Sequence, residues 1–364
     1  MSRDEGLAGR KAAHLEICTD PAINLETGES WFDHLSFEHR SLPELNWSDL
    51  DTHTQFLGRS VRLPLFISSM TGGSDEGYRL NKELARAAQQ ARIPVGMGSI
   101  RILFRKPEVF EHFRLRDLAP DVPLWANIGA QQLVAEAEKD RFQSLKELTK
   151  RLEVDAVAVH LNPGQELFQD EGDRDFRGLK ETLKRYIGQA GLPVIVKETG
   201  FGIAPDEARQ LWKAGAAYID TAGTGGTNWL AVEAWRSSPE TRLAAEAFDS
   251  WGWPTALLTA VLGRRRPTPL LASGGLRTGL DLAKALAWGA AAGGMALPFI
   301  RAAQEKGHEG VLAVIEGVEK ALLTTMLLSG ARSLDDLRKV PLEVSPRFAD
   351  ALRRHGVRAR GVSR

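Results

Sequence analysis

The chain has 364 residues, 43% of them hydrophobic, which is enough for a large core and too much for a disordered chain. Lysine plus arginine equals aspartate plus glutamate, 47 each, so no net basic field argues for nucleic acid or an anionic membrane, and an anionic ligand must be met by local cations. The single cysteine, Cys18, allows no internal disulfide and suits a reducing cytosol.

The first residues, MSRDEGLAGRKAAHLEIC, are charged throughout and show no apolar core, so they do not read as a signal peptide. Residues 1–60 hold Trp31, Phe32, His34, His39 and Trp47 with little periodicity, which predicts an N-terminal arm with short elements. Short apolar runs then recur, each ending in small or polar residues. They are PLFISSM (64–70), IPVGMGS (93–99), PLWANIG (123–129), AVAVHLN (156–162), PVIVKET (193–199), AYIDTAG (217–223), PLLASGG (269–275) and GGMALPF (293–299). Amphipathic stretches such as GYRLNKELARAAQQA, GLKETLKRYIGQAG and PDEARQLWKAGA lie between most of them.

Strands alternating with helices predict a parallel sheet, and eight repeats of about one βα unit predict a closed (β/α)8 TIM barrel. No G-x-G-x-x-G turn opens a helix after the first strand, which weighs against a doubly wound open sheet. Residues 224–266 are the widest gap and predict an insertion after strand 6, containing a helix PTALLTAVLG and a basic RRR loop. The uncharged run between Lys284 and Arg301 is broken by Gly289, Gly293, Gly294 and Pro298 and is too short to span a bilayer. No linker separates two domains, so a single domain is expected over 1–364: an arm (1–60), the barrel (61–305) and C-terminal helices (306–364).

In such a barrel the active site lies at the strand C-termini. Alternation in AVAVHLN turns Val157, Val159 and Leu161 outward and Ala158, His160 and Asn162 toward the barrel or its mouth, with Gln165 and Glu166 following a Pro-Gly turn. Other strand ends supply Ser69, Met70, Thr71, Ser99, Arg101, Asn127, Lys197, Thr227, Gly274 and Gly275. Glycines after strands seven and eight suit a phosphate site, or simply tight turns. Read singly, Lys197 could pair with Glu198 or Asp220, His160 could be a core histidine, and Glu166 could belong to the acidic run Asp170, Glu171, Asp173 and Asp175. Their convergence at one end of a single barrel favours a site.

The stretches RKAAHLEI, SSMTGG, GMGSIR, ANIGAQQL, HLNPGQE, VKETGFG, AGTGGTNW and SGGLRTG carry a resemblance, over nearly the whole chain, to the type 2, flavin-dependent isopentenyl-diphosphate isomerases. The resemblance implies an FMN-binding barrel enzyme that converts isopentenyl diphosphate to dimethylallyl diphosphate for isoprenoid biosynthesis. It also implies reduced FMN, Mg2+ and NADPH as reductant, without net redox change. Position by position, it implies FMN contacts at Ser69, Met70, Thr71, Ser99, Asn127, Lys197, Thr227, Gly275, Leu276, Arg277, Ala296 and Leu297. The expected substrate set is Arg10, Lys11, His14, Ser99, Arg101, His160, Asn162 and Gln165, with Gln165 beside the flavin in catalysis and Glu166 as the Mg2+ ligand. The resemblance further implies a cytoplasmic homotetramer or homo-octamer. Ala222 stands where relatives often have serine, and Thr221 is the candidate replacement. The alternative on the same barrel is an FMN-dependent oxidoreductase of the 2-hydroxy-acid oxidase type. That chemistry needs a base and an arginine suited to a carboxylate, which Arg10, Lys11 and Glu166 fit poorly.

Overall fold

The computed structural model describes residues 3–139, 142–263 and 269–358, without the side chains of residues 3–8 and 10. Eight parallel strands close a barrel in chain order. They are β1 (Leu65–Ile67), β2 (Val95–Ser99), β3 (Leu124–Gly129), β4 (Ala156–Leu161), β5 (Val194–Glu198), β6 (Tyr218–Asp220), β7 (Leu270–Ser273) and β8 (Ala290–Met295). Each falls on one of the predicted runs. The eighth begins three residues before GGMALPF, because Gly289, at φ 103°, ends the preceding helix one residue ahead of Ala290.

The interior is filled by pairing bulk with absence. A side chain at Gly294 would place Cβ 2.2 Å from the Phe66 ring, and one at Gly96 would meet the Trp125 indole at 2.4 Å. These glycines make room for the two aromatic rings that pack the barrel with Ala156, Ala158, Ile195, Leu271 and Ala292. A hairpin of Thr54–Phe56 and Arg59–Val61 plugs the end opposite the strand C-termini. Its Phe56 stacks on Tyr218 with centroids 5.1 Å apart and also packs on Trp125 and Phe66. Val157 and Val159 face the outer helices, as alternation requires.

Three features depart from the sequence reading. The arm opens with a 17-residue helix, Arg3–Thr19, instead of only short elements. Between β2 and β3 the chain makes two 3-10 helices, Ile100–Phe104 and Pro107–Phe113, in place of an α-helix. Within the expected insertion, Thr255–Gly263 is buried along its whole length and packs against β7, so it is a barrel helix. Only Trp229–Arg236 and Pro239–Glu246 are additions; the RRR loop lies outside the described residues. Residues 297–329 are helical on both sides of a break at Lys306 and Gly307, the latter at φ 61°. Beyond them, the strand Leu342–Val344 pairs antiparallel with Leu35–Phe37, and the helix Pro346–Arg354 buries Phe348. No described helix is long and apolar enough to cross a membrane.

Phe56→Ala should destabilise the protein by about 3–5 kcal/mol, the usual cost of emptying a packed aromatic position. A urea titration followed by far-UV circular dichroism measures it, and an unchanged midpoint would mean the plug adds nothing.

Candidate active site

At the C-terminal ends of the strands lies a cavity of about 230 Å³, more than ten times the space one water needs. It takes side chains from the arm and from the ends of all the strands but β6, whose following loop supplies Ala222, Gly223, Gly226 and Thr227. The structure brings together Lys11, His14, Ser69, Met70, Thr71, Ser99, Arg101, Asn127, His160, Asn162, Gln165, Glu166, Lys197, Thr227, Gly275, Arg277, Ala296 and Leu297. Two expected positions are not among them. Leu276 is fully buried in the outer core and does not line the cavity, so only its backbone could serve a ligand. The side chain of Arg10 lies outside the described residues.

One part of the wall is cationic. Lys11 reaches from the arm to the Ser99 carbonyl at 3.2 Å, and Arg101 follows the Ser99 cap of its short helix. Lys197 donates to the Glu198 carbonyl at 2.6 Å. It makes no ion pair with Glu198 or Asp220 among the described residues, because both carboxylates are otherwise engaged. Glu198 accepts the backbone N–H groups of Gly200, Phe201 and Gly202, and Asp220 accepts the Ser273 hydroxyl at 2.7 Å. Burial raises the pKa of both carboxyls despite these donors. His160 is hydrogen-bonded through Nδ1 to Asn127 Oδ1 at 2.8 Å. Burial, then Lys197, Arg101 and Lys11, push its pKa down to about 3. At neutral pH it is an uncharged hydrogen-bonding group amid positive charge.

Beside β4, the short helix Pro163–Phe168 carries a polar relay. Asn162 Nδ2 donates to Gln165 Oε1 at 3.0 Å and to Glu166 Oε1 at 3.1 Å. Glu166 Oε2 accepts the Asp173 N–H at 2.9 Å, so the acidic run holds the carboxylate in place rather than merging with it in solvent. Gln165 Nε2 donates to Glu233 Oε1 at 2.8 Å. Glu233 is wholly buried and also meets His14 Nε2 at 2.9 Å and Arg236 Nη1 at 2.6 Å. Burial alone would raise its pKa, but His14, Gln165 and Arg236 hold it at about 2. The sequence reading did not single out Glu233. Its signal was a lone carboxylate in the otherwise apolar stretch WLAVEAW.

A backbone cradle forms the remaining wall. Gly274, at φ 98°, packs so tightly that a Cβ would stand 2.1 Å from the Gly223 carbonyl. A helix begins at Leu297 with Ala296 as its cap, and its N-terminus lines the cavity together with Gly274 and Gly275, an arrangement suited to phosphate. The Arg277 guanidinium is tied to the Glu26 carboxylate and the Leu276 carbonyl. Ala222 adopts φ 39° and lines the cavity, whereas Thr221 is fully buried with its hydroxyl bonded to the Ser273 backbone. Thr221 therefore does not replace the missing serine. Among the described residues no three His, Cys, Asp or Glu side chains converge to hold a metal, so a cation at Glu166 would complete its shell with ligand oxygens and water.

The closed barrel and the cavity at its strand C-termini are those of a (β/α)8 barrel enzyme. The model of FMN-dependent dehydrogenases matches residues 5–103 and 110–343. The fold is shared with a lactate oxidase from Pediococcus acidilactici (TM-score 0.65, 18% identity, 93% of this chain and 94% of that one). It is also shared with a flavocytochrome b2 (TM-score 0.64, 18% identity, 94% and 86%). The chain belongs to the isopentenyl-diphosphate delta-isomerase family and is an FMN-dependent enzyme. It is 39% identical to the isopentenyl-diphosphate delta-isomerase of Borrelia garinii subspecies bavariensis over 93% of this chain and 94% of that protein. It is 40% identical to that of Pyrococcus abyssi (92% and 92%) and 44% identical to that of a Synechococcus (84% and 87%).

The folded pKa of His160 lies below its ordinary value of 6.5, so the unfolded chain takes the proton first. Its contribution to stability should be complete above about pH 6.5 and fall as the pH drops toward 3. Imidazole NMR of the flavin-free protein should show His160 still neutral at pH 5; a titration near 6.5 would contradict this.

Proposed function

We propose that the enzyme interconverts isopentenyl diphosphate and dimethylallyl diphosphate. The observation that carries this reading is the placement of Lys11, Arg101 and His160 in one cavity with a single buried carboxylate, Glu166. That combination suits a diphosphate neutralised partly by side chains and partly by one Mg2+. Ser69, Met70, Thr71, Asn127, Lys197 and Thr227 would hold the flavin ring and ribityl chain, and the backbone at Gly275, Ala296 and Leu297 its phosphate. NADPH serves as reductant, the enzyme works in the cytoplasm as a homotetramer or homo-octamer, and its product feeds isoprenoid synthesis.

The reaction adds a proton at one end of an allylic unit and removes another from C2, so an acid–base group must lie within hydrogen-bond reach of those carbons. Reduced FMN, when bound, supplies that acid–base group. Glu233, ionised at neutral pH, is a poor proton donor and instead fixes the Gln165 amide by accepting from Nε2. Gln165, a neutral amide, positions the reacting end of the substrate. Lys197 places a cation where it favours the anionic form of a reduced flavin. Lys11, Arg101 and neutral His160 bind the head group, and the docked N-terminal helix excludes water from the cavity. An oxidase of the 2-hydroxy-acid type needs a free base. Here His160 is bonded to Asn127 among cations and His14 is engaged with Glu233. The structural likeness to such oxidases, at 18% identity, extends to the fold alone.

Anaerobic enzyme with FMN, Mg2+, a chemical reductant and isopentenyl diphosphate should form dimethylallyl diphosphate and leave the flavin reduced, whereas the sample without reductant should not. Flavin oxidation by another substrate, without isomerisation, would favour the oxidase reading. Glu166→Gln should raise the Mg2+ concentration for half-maximal rate at least ~10-fold, the scale of losing a ligand-shell group; an unchanged Mg2+ titration would remove Glu166 as ligand.

A further inference from the structure

The same cavity holds a second set of side chains, made of acceptors. Gln131 and Asn162 are 9% and 3% exposed, and neither Gln131 Oε1 nor Asn162 Oδ1 has a hydrogen-bond partner among the described residues. The orientation of Asn162 is fixed, because its Nδ2 donates to both Gln165 and Glu166; turning it round would set its carbonyl against a carboxylate. Gln132 is fixed in the same way. Its Nε2 donates to Oε1 of the buried Glu136 at 2.8 Å, which leaves its own Oε1 as the end available to the cavity. The strands put these groups at one level. Gly129 of β3 pairs with His160 of β4, and Gln131 and Asn162 each follow two residues later. Gln131, Gln132, Asn162 and Glu166 all line the cavity.

A buried acceptor left without a donor costs about 1–3 kcal/mol, so the two amide oxygens of Gln131 and Asn162 beside a carboxylate are an expensive arrangement unless a ligand brings donors. A bare diphosphate cannot, since it offers only more acceptors. A hydrated dication can, because Mg2+ gives up its water reluctantly and the protons of that water point outward.

We propose that Gln131, Gln132 and Asn162 form an outer cradle for the water molecules of the Mg2+ held at Glu166, so that the metal is recognised as a hydrate. This rests on the reading of Glu166 as the metal ligand. The glutamines act through water and are positioning residues. Glu136 belongs to the device without lining the cavity, by presenting the Gln132 carbonyl.

The test uses FMN-loaded protein with inorganic diphosphate as the anion and Mn2+ as a paramagnetic substitute read by EPR. Gln131→Leu combined with Gln132→Leu should weaken Mn2+ binding by about 10–100-fold, the range for losing outer-shell partners, while flavin fluorescence still reports bound FMN. Glu166→Gln should weaken it at least as much. Loss in Glu166→Gln with no change in the glutamine variant overturns the outer cradle and leaves the ligand intact. No change in either overturns both. Should the double variant fail to retain FMN, Gln131→Ala alone decides: a several-fold weaker Mn2+ affinity supports the cradle, and an unchanged one refutes it.

Discussion

The carboxylate of Glu233 is wholly buried, yet it meets nitrogen atoms from three separate stretches of chain: His14 of the N-terminal helix, Gln165 after β4, and Arg236 one turn along its own helix. An ion in that position would cost several kcal/mol if left alone, so its partners cannot be dispensed with singly. This one group ties the covering helix to the cavity and sets the orientation of the Gln165 amide. Through Gln165 the constraint passes to Asn162 and on to Glu166. The position of the metal-ready carboxylate thus depends on a helix that begins at residue 3.

The barrel was readable because each strand is buried on both faces and therefore appears as a short apolar run with a polar end. Lys197, His160 and Asn127 could be placed at the mouth for the same reason. Elements held by distant contacts were less legible. The N-terminal helix has a weak apolar face of its own; Cys18 packs with nearby Leu25 and with Val232 and Leu297, which lie far along the chain. Glu233 is a lone charge in an apolar stretch, and nothing local reveals that His14 meets it from the N-terminal helix. Thr221 and Ala222 are neighbours, and only the backbone geometry shows which of them faces the cavity.

The chain carries no net charge, yet its cavity sets Lys197, Arg101 and Lys11 around one imidazole, and burial together with these cations keeps it unprotonated. Field strength at a site is therefore a matter of placement. Carboxylates that could have cancelled these cations are directed elsewhere: Glu198 into a tight loop of N–H groups and Asp220 onto Ser273. The acidic run after Glu166 likewise supplies a backbone donor at Asp173. The result is a cavity with a cationic part and an acceptor-rich part, matched to an anion that arrives with a cation.

The covering helix docks on residues that lie far from it in the sequence. Its supports are Glu233, Leu297 and Arg301, whose guanidinium donates to the Cys18 carbonyl, and the segment that follows it is anchored by the pairing of Leu35–Phe37 with Leu342–Val344. A chain interrupted after β7 would lack β8, Leu297 and Arg301, leaving the barrel open and the covering helix with Glu233 but without its other two supports.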